Sequence, residues 1–75
     1  MNKYPERRFV ERMKTEYPKG TLICVDNMAD DPHPVKAGAK GTVICVDDAG
    51  TVHCSFEDGR QLGLIPQIDS FHKIQ

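Results

Sequence analysis

The sequence predicts a mainly β domain, a short N-terminal α-helix followed by a five-stranded antiparallel barrel. Apolar residues recur at helical spacing up to Pro18 and Gly20 and not beyond them. From Thr21 onward, β-branched runs and strict alternation replace that spacing. Turn signals built on Asp and Gly then punctuate the second half. At 75 residues there is room for one domain and one modest core. Such a core rarely yields more than ~3–5 kcal/mol unless a disulfide, a metal or self-association helps.

Each element follows from its residues. Pro5 can take the first helical position, where its missing N–H costs nothing. Phe9, Val10, Met13 and Tyr17 then share one helical face, with charged residues on the others. A helix of about three turns is marginal alone, so its apolar stripe is expected to cover the open end of the barrel. Residues 1–19 are thus the helical cap and residues 20–75 the barrel. Thr21 to Asp26 reads as the first strand. Asn27 to Lys40, with Asp30, Asp31, Pro32, His33, Pro34 and Gly38, is too long for a hairpin turn and too polar for a strand. It reads as a surface loop of the kind that often carries function. Gly41 to Val46 is the next strand, and Asp47-Asp48-Ala49-Gly50 a turn whose glycine can adopt the left-handed conformation. Val52, Cys54 and Phe56 alternate with His53, Ser55 and Glu57, which places the first three on a buried face. Asp58-Gly59 predicts a two-residue hairpin turn before a strand with Leu62 and Leu64. Pro66-Gln67-Ile68-Asp69 suits a 3₁₀ turn ahead of a last strand from Ser70 to Ile74.

That order of elements resembles the SH3-like barrel over residues 20–75. Several segments, taken together, are similar to one family. They are Tyr17-Pro18-x-Gly20-Thr21, Met28-x-x-Asp31-Pro32, Gly38-x-x-Gly41-Thr42-Val43, Val46-Asp47-Asp48-x-Gly50 and Gly59-x-x-Leu62. The pattern resembles the uncharacterised bacterial and phage family called domain of unknown function 4314. Its members are typically small proteins of phages, plasmids and conjugative elements, so the likeness implies a mobile-element origin. It implies no activity. The chain departs from the family pattern at Phe56, where Trp is common, and at His33, where Tyr is common.

Net charge is −1, and bulk electrostatics therefore argues against a nucleic-acid partner. The distribution is uneven. Residues 1–20 hold six Lys/Arg against three Glu, and residues 21–75 hold four bases against eight acids. Attraction between a basic helix and an acidic barrel accounts for this. The three cysteines, Cys24, Cys45 and Cys54, are an odd number within apolar runs, which predicts reduced, partly buried thiols in the cytoplasm. The residues after Met1 do not form a signal peptide, and no stretch reaches membrane-spanning length.

No metal, cofactor or catalytic group is expected. His33, His53 and His72 are far apart, the cysteines form no C-x-x-C pair, and the neighbours His53 and Cys54 point to opposite faces of a strand. Cys54 falls on the buried face, where a nucleophile lacks access. Asp47, Asp48, Glu57 and Asp58 have ordinary turn chemistry. The expected site is the surface between the long loop and the turn before the last strand, carried by Asp31, Pro32, His33, Arg60 and Asp69, with Pro66 and Phe71 nearby. Met28 is expected to pack beneath the loop. Phe9, Tyr17 and Phe56 are assigned to the core, which leaves too few aromatics for a proline-rich ligand.

The resulting reading is a small, non-enzymatic binding module of a phage or mobile element that engages a host or element-encoded protein. One alternative is a homo-oligomer that sequesters a nucleotide-like signal in counter-defence, with Lys36, Arg60 and the basic helix meeting phosphates. A second is a nucleic-acid-binding accessory protein acting through Arg7, Arg8 and Arg12, though the interleaved aromatics that single strands require are missing.

Overall fold

The computed structural model describes residues 6–28 and 35–74. It contains α1 (Arg7–Glu16) followed by β1 (Leu22–Asn27), β2 (Lys40–Val46), β3 (Val52–Phe56), β4 (Gln61–Leu64) and β5 (Ser70–Lys73). All strand pairs are antiparallel, in one sheet of order β4-β3-β2-β1-β5. The chain is mainly β, as the alternation predicts. Strand bounds agree with the sequence reading to within a residue. The helix begins later than expected, at Arg7, with Glu6 as an extended N-cap residue, and Pro5 lies outside the described residues.

Alternation turns one face of the sheet inward. Ile23 and Val25 of β1, Val43 of β2, Val52, Cys54 and Phe56 of β3, and Leu64 of β4 are buried together with Met28 and Val35. The helix adds Met13 to this cluster and buries Val10. Met28 is thus part of the core. Phe56 faces Gly41 across the β2–β3 pair, and its ring occupies the space a side chain there would need. A Cβ on Gly41 would stand 2.8 Å from Phe56 Cε1, so a large residue on β3 requires none on β2. Two bulges bend the sheet, one in β1 between Val25 and Asn27 and one in β2 between Val43 and Cys45.

The two hairpin turns are built alike. Asp47 N–H donates to Thr51 O at 3.0 Å, and Phe56 N–H to Arg60 O at 2.8 Å. Each closes a loop ending in a left-handed glycine, Gly50 at φ 83° and Gly59 at φ 91°. The second loop therefore holds Glu57, Asp58 and Gly59 instead of the expected two-residue turn, because the glycine supplies a bulge rather than a mirror-image turn. Where a 3₁₀ turn is expected, Ile65 O accepts from Ile68 N at 2.9 Å and from Asp69 N at 2.7 Å, which mixes the i+3 and i+4 patterns.

The helix docks on the β2–β3 turn. A Cβ on Gly50 would lie 2.8 Å from Phe9 Cε2, so the Phe9 ring rests directly on the bare glycine. Lys14 Nζ reaches Asp48 Oδ1 at 2.8 Å, an ion pair joining the helix to the β2–β3 turn. The Lys14 side chain is about half exposed and that of Asp48 fully so, and apolar contact is the larger contribution. Below the helix, Gly20 N–H donates to Val43 O and Val43 N–H to Thr21 O, both at 2.8 Å, which fixes the connection against β2.

Two expectations test this packing. Phe56→Ala should cost roughly 3–5 kcal/mol in a denaturant melt, since it removes a large buried side chain; a cooperative melt near the parent midpoint would show the β3 register to be wrong. Gly50→Ala and Gly59→Ala impose the same left-handed strain, about 1 kcal/mol each. Only Gly50 carries a ring above it, whereas nothing lies within 4 Å of a Cβ on Gly59. Gly50→Ala should therefore cost clearly more than Gly59→Ala, and equal losses would refute the helix docking.

Candidate functional site

Of the five residues expected to form the site, Asp31, Pro32 and His33 lie outside the described residues. Asp69 and Arg60 are described, and they line different grooves. Asp69 is buried, and its Oδ2 accepts from the Ile65 backbone N–H at 2.9 Å. It holds the turn before β5 in shape. Arg60 is half-buried, with Nε 2.8 Å from Asp58 Oδ2 and its backbone N–H donating to Asp58 Oδ1 at 2.9 Å. These bonds, the backbone one foremost, hold the Asp58 carboxyl below its usual range.

The first groove, of about 420 Å³, lies between the helix and the turn before β5. Pro66, Asp69 and Phe71 line it, facing the helical segment rather than the long loop that the sequence reading names. The opposing wall comes from Met13, Glu16 and Tyr17 of the helical segment, with Asp26 from β1. Tyr17 and Phe71 meet edge to face, with ring centroids 5.5 Å apart. Both rings pack on the core while remaining partly exposed. Burial, and then the neighbouring Glu16 charge, raise the Tyr17 phenol above its usual pKa. The helical wall is absent from the sequence reading, because core-facing helical spacing does not tell how much of a side chain stays exposed.

The second groove, of about 580 Å³, runs between residues 35–40 and the β3–β4 turn. Lys36, Lys40 and Arg60 bring positive charge to it, Glu57 and Asp58 negative, and Val35, Ala37, Ala39 and Phe56 supply apolar surface. Lys36 and Arg60, named together from sequence, thus share one groove. The basic helix does not line it. On the helix Arg7 faces Glu11 at 3.5 Å, while Arg8 and Arg12 are exposed.

Two His–Asp pairs stand on the sheet, the second through the Asp26 that lines the first groove. His53 Nε2 is 2.8 Å from Asp47 Oδ2, and His72 Nδ1 is 2.9 Å from Asp26 Oδ2. Asp47 Oδ1 also accepts from Ala49 N and Thr51 N, at 2.9 and 3.0 Å. The His53 hydrogen bond is the largest influence lowering the Asp47 pKa, with those backbone bonds adding to it. Among the described residues no three His, Cys, Asp or Glu side chains gather as a metal site. No helix among them is long and apolar enough to cross a membrane.

The thiols differ sharply in environment. Cys54 is fully buried, and burial pushes its pKa up to about 11. Cys24 is half-buried, and Cys45 is exposed, contrary to the expectation of partial burial, because the β2 bulge breaks the alternation next to it. Under native conditions, alkylation followed by mass mapping should label Cys45 first, Cys24 more slowly and Cys54 only on unfolding. Rapid labelling of Cys54 in the folded protein would contradict both its burial and its raised pKa.

Comparison with known proteins supplies the family. No curated protein and no solved structure matches the chain. The family model described as domain of unknown function (DUF4314) matches residues 6–74, which takes in the helix, all five strands and both grooves. The chain belongs to the DUF4314 family.

Proposed function

We propose that this chain is a small, non-enzymatic binding module of a phage or other mobile element, acting in the cytoplasm on a host or element-encoded protein. The observation that carries the reading is the groove between helix and sheet, where Tyr17, Phe71 and Pro66 present partly exposed apolar surface beside the Glu16 carboxylate. Exposed rings held by a rigid scaffold are the usual material of protein recognition, since they add contact area at little entropic cost. The strand order β4-β3-β2-β1-β5 supports describing the sheet as an SH3-like barrel. The proposed site then lies where the turn before the last strand meets the helix. Asp31, Pro32 and His33 are proposed as further contact residues of the module.

A second reading has its own support. Lys36, Lys40 and Arg60 all line the other groove, which suits the phosphates of a nucleotide-like signal held by a homo-oligomer. Size-exclusion mass and a thermal-shift screen with nucleotides separate the two readings. A monomer without a shift favours the protein-binding module, and a stable oligomer with a shift of several degrees favours sequestration.

The module reading is tested by affinity capture from host extract, with bound proteins identified by mass spectrometry. Glu16→Lys should abolish the specific capture, whereas Lys36→Glu in the other groove should leave it unchanged. Both are exposed positions, so stability should change by less than ~1 kcal/mol. The opposite pattern would move the site to the second groove.

A further inference from the structure

Tyr17 and Glu16, two of the residues lining the first groove, already engage a cation. Lys73 at the end of β5 places Nζ 5.4 Å from the centroid of the Tyr17 ring and donates to the backbone carbonyl of Glu16 at 3.2 Å. Glu16 is the last residue of α1. Carbonyls of a helix's final turn have no partner within the helix, and the helix dipole makes that end electronegative. The ring face adds the negative side of its quadrupole, and the exposed Glu16 carboxylate a full charge. Of the other acids lining the groove, Asp69 is bonded to the Ile65 N–H and Asp26 to His72. Helix end, ring and Glu16 therefore form one corner that favours positive charge. Lys73 is an exposed side chain on a long flexible stem, and it can leave that corner without disturbing the sheet.

Resting on the module reading above, we infer that the groove receives an arginine or lysine side chain of an extended peptide segment, and that Lys73 is an internal competitor which must move aside. Arginine is the better fit. Its planar guanidinium can stack on the Tyr17 ring while donating to both the Glu16 carbonyl and carboxylate, which an ammonium does less well. Phe71 and Pro66, on the far side of the groove, meet the apolar residue next to that cation.

The test is a random-peptide display library panned against the immobilised full chain, followed by fluorescence anisotropy with the selected peptides. The enriched sequences should share an arginine or lysine beside an apolar residue. Affinity should rise about two- to five-fold in Lys73→Ala, the worth of one exposed cation–π contact released from competition. Lys73→Gln, which keeps the stem and loses the charge, should give the same gain, and Glu16→Gln should weaken binding. Thermal melts check that each variant is folded. Enrichment of peptides without a cation, no enrichment at all, or equal or weaker binding by folded Lys73→Ala and Lys73→Gln would overturn the inference. Capture from extract that is lost in Glu16→Lys would still uphold the module reading in each of those cases, so the two can fail separately.

Discussion

The seat of the Phe9 ring on Gly50 fixes where the helix lies, and much else follows from it. Gly50 must be glycine twice over, for its left-handed backbone and for the ring above it. Once Phe9 is seated, Met13 reaches the core one turn further along and Tyr17 arrives beside Phe71. One wall of the groove beside β5 is therefore a product of helix docking. A sheet without its helix would keep Pro66 and Phe71 and lose Met13, Glu16 and Tyr17.

Most of the fold was legible because two periodicities dominate the chain. Helical spacing stops at Pro18 and Gly20, and alternation through Val52, Cys54 and Phe56 fixes which face of β3 is buried. The errors arose where local conformation overrides pattern. Asp58-Gly59 is compatible with two turn geometries, and only pairing of Phe56 with Arg60 chooses between them. Cys45 follows a bulge that no sequence period announces.

The site was less legible, for a different reason. A groove is made by residues distant in sequence, and periodicity within one element cannot report it. Pro66 and Phe71 flank the turn before β5, and both line the groove beside it. The spacing that assigns Tyr17 to the core tells which face a residue is on, and not how much of its ring remains uncovered. Asp69 carries a legible signal of its own. An acid four residues after Ile65, closing a turn, is placed to accept that residue's backbone N–H, and a buried carboxylate so engaged serves shape before recognition.

The two hairpin turns share a geometry and differ in what rests on them. Gly50 is buried beneath Phe9, whereas Gly59 opens to solvent. The consequence is an asymmetry in what each turn can accommodate. Extra residues spliced between Asp58 and Gly59 would project away from the helix and leave the core untouched, since exposed loop tips accept insertions readily. The same splice at Ala49 would lift Phe9 off its seat. A fluorophore, an affinity tag or a grafted epitope therefore belongs at the β3–β4 turn, at the end of the sheet that does not carry the helix.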